Sequence, residues 1–251
     1  MDNERSINAT REGFEKSFSE AEFYNKQTRD EKHLNDIIGF LGIKSGMKIL
    51  DLGTGSGYLS FPIAKMYPEA EIKGLDILEK TLEANRERAR RDNISNIRFV
   101  SYNGIDFPFA DEEYDMIITR YSLHHFPEIE KSISEARRVL KPHGTLFISD
   151  PAPNDCDISR FVDEYMQMKK DGHIRFYTFD EWNMICSRHS FEYQKSFESS
   201  IRFPRKREEC TEFEDTISRH DNIIIDSYDI DIRQNEIYIT EKVNNILFKA
   251  I

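Results

Sequence analysis

The stretch Ile49-Leu-Asp-Leu-Gly-Thr-Gly-Ser-Gly-Tyr-Leu-Ser60 runs from a short apolar strand into three glycines at alternate positions and then into an apolar helix. Glycine tolerates positive φ and, having no Cβ, lets a ligand lie against bare main chain. A helix beginning at Tyr58 turns its N-terminal amides toward that ligand. The stretch reads as a nucleotide cradle.

On both sides of it, between residues 48 and 150, short apolar runs alternate with amphipathic ones, the pattern of βαβ units and a parallel sheet. Strands are expected at 48–52, 71–76, 96–102, 115–120 and 145–150. Helices are expected at 58–67, at 79–92 with Leu78, Leu82 and Ala89 on one side, and at 128–140 with Ile129, Ile133, Ala136 and Leu140 on one face. Tyr67-Pro68 and Lys141-Pro-His-Gly144 are stop signals, since proline cannot continue a helix. The fold class is α/β, a Rossmann-like doubly wound sheet with helical elaborations at the N-terminus and after the fifth strand.

The flanks differ from this core. Residues 1–45 read as a polar, helical cap segment, with Leu34, Ile37, Ile38 and Leu41 in register and Phe14, Phe18, Phe23 and Tyr24 as its aromatics. Residues 46–251 form the main domain. Within it, Pro151-Ala-Pro153 breaks the alternation, and residues 151–180 carry Phe161, Tyr165, Met166, Met168, Phe176, Tyr177 and Phe179, with Trp182 just beyond. That stripe fits either packing of an extra helix on the sheet or a cap over a substrate. Strand-like runs at 191–197, 236–240 and 245–250 can supply the last strands.

At 251 residues the core needs neither disulfides nor metal. The net charge of -11 excludes a long phosphate-backbone contact, so no nucleic-acid partner is expected. The basic runs 86–91 and 202–207 read as a solvated helix face and a polar connection. Cys156, Cys186 and Cys210 lie far apart, which suits buried or inert thiols in a reduced compartment. The N-terminal sequence lacks a basic and apolar leader, and no apolar run nears the ~18 residues of a membrane span, so a cytoplasmic location is expected. The sequence leaves the oligomeric state open.

A dinucleotide fingerprint is Gly-x-Gly-x-x-Gly, whereas the spacing here is one residue tighter. Asp51, two residues before the first glycine, would repel a pyrophosphate but suits a sulfonium and an ammonium. Asp76 ends the second strand, where its two oxygens can accept from both ribose hydroxyls. Charge therefore favours S-adenosylmethionine over a nicotinamide cofactor.

On these residues the chain resembles the class I S-adenosylmethionine-dependent methyltransferases. The likeness covers roughly 48–151 and extends through Tyr114-Asp-Met-Ile-Ile-Thr-Arg-Tyr-Ser-Leu-His-His-Phe126 and Glu135-Ala-Arg-Arg-Val-Leu-Lys-Pro-His-Gly144. It is similar to the branch that methylates small molecules, including quinones and other metabolites. The resemblance implies a seven-stranded, mostly parallel sheet and S-adenosyl-L-methionine as cofactor. It implies that Gly53, Thr54 and Gly55 line the methionine end, with Asp51 and Gly57 as further cofactor-binding residues, and that Asp76 with Ile77 holds the ribose and the adenine edge. Asn103 stands where the family has an Asp that accepts from the adenine amino group, Gly104 offers its N–H, and Arg120 lines the methionine end. Lys-Pro-His-Gly departs from the family's Lys-Pro-Gly-Gly, with a local effect expected.

Methyl transfer is an in-line displacement, so the protein has to orient an acceptor and exclude water. If the acceptor must lose a proton, His124 or His125, after the fourth strand, is placed to take it. Tyr24, His33, Tyr121, His173 and Arg175 are candidate substrate contacts by position, and no metal is called for. No Asn-Pro-Pro-Tyr or Asp-Pro-Pro-Tyr follows the fourth strand, which argues against methylation of bases or glutamine and for a small-molecule acceptor. A nicotinamide-dependent oxidoreductase and a catalytically inactive cofactor-binding module remain the alternatives.

Overall fold

The computed structural model describes residues 3–19 and 31–251. Its strands are β1 (Lys48–Leu52), β2 (Glu71–Asp76), β3 (Ile97–Ser101), β4 (Tyr114–Arg120), β5 (Leu140–Ala152), β6 (Phe191–Lys206), β7 (Asp231–Ile232) and β8 (Glu236–Ala250). They form one sheet in the order β3-β2-β1-β4-β5-β8-β6, with the two-residue β7 paired to β8. Strands β1 to β5 are parallel, and β8 runs antiparallel to both its neighbours. The expected seven-stranded path is present, and β7 adds a short eighth strand.

The helices are α1 (Asn3–Ser19), α2 (Glu31–Leu41), α3 (Ser60–Met66), α4 (Glu79–Arg91), α5 (Ile129–Val139), α6 (Phe161–Gln167), α7 (Phe179–Arg188), α8 (Phe213–Arg219) and α9 (Asn222–Ser227). Successive strand residues point to opposite faces, so each central strand feeds two cores. Ile49, Ile72, Met116, Ile118 and Phe147 pack under α2, α3 and α4. Leu50, Leu75, Ile117, Leu146 and Ile148 pack under α5 and α7.

Beyond β5 the structure departs from the sequence reading. The runs at 236–240 and 245–250 are one strand, and 191–197 continues to Lys206. Past the last β5 pair, Ala152 with Lys242, the β6–β8 ribbon extends six residues further, about 20 Å. Helices α6, α8 and α9 pack on this extension through Phe161, Tyr165, Phe213, Ile224, Ile237 and Ile239. The run 202–207, read as a polar connection, lies largely in β6. Pro204 is tolerated there because β6 is the sheet's edge. The aromatic stripe resolves into packing: Phe161, Tyr165, Met166 and Phe176 serve this upper cluster, while Tyr177 and Trp182 serve the main core. Cys186 and Cys210 are buried, but Cys156 is exposed.

The Lys-Pro-His-Gly departure has a local consequence. Pairing with β4 shifts register between Tyr114 and Met116 as β5 bulges, and exposed His143 takes φ +63°. A left-handed conformation strains any residue with a Cβ by about 1–2 kcal/mol, part of which glycine gives back through its freer unfolded chain. His143→Gly is therefore expected to stabilise the protein by up to about 1 kcal/mol, raising the melting temperature by about 2–4 °C. A lower melting temperature would contradict the strain.

Candidate functional site

The carboxyl ends of β1, β2 and β4 open on a cleft, about 950 Å³ when the open space at its mouth is counted. The glycine loop forms its floor. Gly53 and Thr54 donate their N–H groups to Leu75 O at 2.8 and 3.1 Å, which ties the loop to β2. Gly53 sits at φ +68°, and a Cβ there would lie 1.8 Å from Ser122 Oγ, so only glycine fits. The Gly55 N–H donates to Asp76 Oδ2 at 2.8 Å, and its carbonyl accepts from Asn85 Nδ2 at 2.7 Å. Gly57 turns the chain at φ +75° outside the cleft lining. The following helix starts at Ser60 rather than Tyr58, because residues 53–59 are taken up by the turn.

Two carboxylates flank this loop, and both line the cleft. Asp51, 3% exposed, accepts on Oδ2 from Thr54 Oγ1 at 2.8 Å and from Ser60 Oγ at 2.5 Å. Burial pushes its carboxyl up to about 6, against the lowering effect of those hydroxyls. Asp76 accepts from the Gly55 and Leu78 N–H groups, so besides facing the cleft it fixes the entry to α4; burial raises its carboxyl too. A cationic ligand stabilises the ionised form of Asp51, so its affinity is complete above pH 6 and is lost as pH falls through that value. S-Adenosylmethionine affinity is expected to weaken by up to tenfold per unit below about pH 6. Titration calorimetry on wild type and Asp51→Asn checks this, the variant giving a shallower profile; equal profiles would remove Asp51 from the site.

The turn after β4 forms another wall. The Arg120 guanidinium lies 4.0 Å over the Tyr58 ring and 4.6 Å over Tyr121. Among the described residues no carboxylate pairs with it, and its Nε is buried without a partner. Its Nη2 is 3.5 Å from His33 Nδ1, and His33 Nε2 is 3.2 Å from Asn245 Oδ1. His33 thus stands behind Arg120 and outside the cleft lining. His124 is turned inward, its Nδ1 3.0 Å from both oxygens of Asp150, which also accepts from the Ser122 N–H. Burial opposes protonation of His124, yet the Asp150 carboxylate raises its pKa overall. His125 lines the cleft with a buried, unpartnered Nδ1. Burial, then the neighbouring His124 and His173, hold its pKa well below the usual histidine value. Of the two adjacent histidines, His125 lines the cleft and is held neutral, while His124 is turned toward Asp150.

Other expected contacts fall differently. Asn103 closes its own turn, its Oδ1 accepting from the Ile105 and Asp106 N–H groups at 2.8 Å each. Both lone pairs are engaged in that turn and Asn103 stands outside the cleft lining, whereas Gly104 and Ile77 line it. His173 bonds Asp163 at 2.9 Å and Arg175 pairs with Glu181, and neither is part of the cleft lining. Tyr24 lies outside the described residues. The cleft adds Tyr102 and, from α1, Ile7, Thr10 and Phe14. The last three are spaced i, i+3, i+7, a helical stripe written in the sequence, of which only the aromatic Phe14 stands out there.

A glycine floor between two buried carboxylates fits an adenosyl group bearing a sulfonium and an ammonium, and opposes a pyrophosphate. Among the described residues no cluster of His, Cys, Asp and Glu could hold a metal ion, and no helix is long and apolar enough to cross a membrane.

Comparison with known proteins gives the same picture. A family model described as a methyltransferase domain matches residues 43–215. YcgJ of Bacillus subtilis, an uncharacterized methyltransferase, is 29% identical over 148 residues, 59% of this chain and 58% of that protein. Its crystal structure matches with a TM-score of 0.75 at 23% identity, covering 88% of this chain and 99% of that one. Demethylmenaquinone methyltransferase of Staphylococcus carnosus is 32% identical over 136 residues, 49% of this chain and 55% of that protein. The structure of an S-adenosylmethionine-dependent methyltransferase from Aquifex aeolicus matches with a TM-score of 0.54 at 17% identity, covering 83% of this chain and 88% of that one. The matches span a little over half the length of these curated relatives.

Proposed function

Because the chain belongs to the S-adenosylmethionine-dependent class I methyltransferases, we propose that it transfers a methyl group to a small-molecule acceptor seated beside Tyr121 and His125. The observation that carries this reading is the glycine floor between two buried carboxylates, Asp51 and Asp76, opening toward a neutral histidine.

S-Adenosylmethionine supplies an electrophilic methyl carbon. In this reading Gly53, Thr54 and Gly55 hold its methionine end with Asp51 beneath, Asp76 takes the ribose hydroxyls, and Arg120 takes the amino-acid carboxylate as the unpaired cation of the wall. Ile7 and Phe14 of α1 cover the cleft and exclude water. The low pKa of His125 leaves its ring able to take a proton from the acceptor at neutral pH.

Calorimetry with S-adenosylmethionine, S-adenosylhomocysteine and NADH, followed by turnover of methyl-labelled cofactor against a panel of small metabolites, tests the proposal. His125→Ala is expected to lower kcat by about a hundredfold while cofactor affinity stays within a few-fold. Heat with NADH alone would point to an oxidoreductase. Cofactor binding without any turnover would point to a binding module.

A further inference from the structure

The rings of Tyr58 and Tyr121 hold the Arg120 guanidinium in the cleft wall, but a ring face takes none of its five N–H donors. An acceptor is needed to fix which donor meets a ligand. Among the described residues the acceptor in reach is His33 of α2, whose Nδ1 lies 3.5 Å from Nη2. His33 is itself buried, and its ring is set from the sheet. Asn245 of β8, also buried, donates from Nδ2 to Val243 O at 3.2 Å and to Ser199 Oγ at 2.8 Å. A carbonyl only accepts, so this end of the amide is the NH2 group. The Asn245 Oδ1 accepts from Ser149 Oγ at 2.8 Å and faces His33 Nε2 at 3.2 Å. His33 therefore carries its proton on Nε2, which leaves Nδ1 as an acceptor toward Arg120. Ser149 also steadies the ring side, its carbonyl accepting from the Tyr121 N–H at 2.9 Å.

We propose that His33 is a positioning residue for Arg120: its Nδ1 ties Nη2 to the back of the wall, so that Nη1 is presented to the carboxylate of the cofactor's amino-acid tail. Nε is enclosed by protein, whereas Nη1 bonds no described residue and is not enclosed, which makes Nη1 the donor left for a ligand in the cleft that Arg120 lines. The choice of a histidine at this place matters. A carboxylate in its stead would orient the guanidinium but neutralise it. A neutral imidazole orients it and leaves its whole charge for the ligand. The support comes from the helical cap segment and the sheet together, since α2 supplies His33 while β5 and β8 supply Ser149 and Asn245.

Because this assignment rests on the methyltransferase reading, calorimetry first measures S-adenosylhomocysteine, whose failure to bind would sink that reading. S-Adenosyl-3-thiopropylamine, the same molecule without its carboxylate, is then compared. Wild type is expected to prefer the carboxylate-bearing ligand by about tenfold or more, and Arg120→Gln to erase the preference. Two further variants separate the bonds of the His33 ring. His33→Asn puts a carbonyl where Nδ1 stands and should keep most of the preference. His33→Gln reaches toward Asn245 but leaves Arg120 without its acceptor, so the preference should drop about fivefold while affinity for the amine analogue stays within about twofold. A wild-type preference below about twofold would overturn the proposal with the methyltransferase reading intact. So would an unchanged preference in His33→Gln, an equal loss for both ligands there, or a fall in His33→Asn as deep as in His33→Gln.

Discussion

Asp76→Ala is expected to weaken S-adenosylmethionine binding by about a hundredfold or more. Each hydrogen bond to a buried carboxylate contributes about 1.5–3 kcal/mol, and this carboxylate is placed to take two ribose hydroxyls. It also organises the loop beneath the ligand, through the Gly55 N–H on one oxygen and the Leu78 N–H on the other. Each oxygen accepts on two lone pairs, so these bonds leave room for the ribose. Removing the side chain therefore loses contacts and slackens the floor together. The fold should survive, because a buried carboxylate of raised pKa is costly to keep ionised in the free protein. Calorimetry and a melting curve separate the two effects: full affinity would mean that the ribose lies elsewhere, and collapse of the melting transition would mean that Asp76 serves the fold. Asp76→Asn, which keeps one acceptor oxygen, should fall between.

The half of the site built from local sequence is legible in the residues themselves. Asp51, the glycines and Asp76 can be placed because each sits within a few residues of a strand end, and strand ends follow from apolar alternation. Asn103 can be put in the right loop but not given its task, since nothing in its neighbours says that its carbonyl closes a turn. His124 and His125 cannot be told apart in one dimension; the assignment depends on Asp150, 26 residues away from His124 in sequence. Glu241 and Arg205 are hidden for a stronger reason. Their burial is made by the β6–β8 ribbon, whose pairing joins residues dozens of positions apart, and charged residues in a run are ordinarily solvated.

Burial of a charge inside such a run can be measured directly: Arg205→Ala is expected to destabilise the protein by about 3–5 kcal/mol, lowering the melting temperature by roughly 10 °C. The side chain is 3% exposed, its guanidinium 4.6 Å over the Tyr165 ring. It donates to Tyr165 O at 2.6 Å and to Met166 O at 3.3 Å, carbonyls at the end of α6 whose backbone bonds, from Met168 N–H at 3.4 Å and Lys169 N–H at 3.3 Å, are long. Truncation leaves those carbonyls short of a donor, opens a cavity under α6 and removes the cation facing Glu241. Arg205→Lys should recover only part of the loss, since an ammonium lacks the planar guanidinium that serves the two carbonyls through Nη1 and the Met166 sulfur through Nη2 while stacking on the ring. Hydrogen exchange should locate the damage in α6 and the ribbon beyond Lys242, with β1 to β4 still protected, because the main core is closed by α2 to α5 and α7 without this arginine. A variant that melts within a degree or two of wild type would mean that 202–207 is a solvated connection after all.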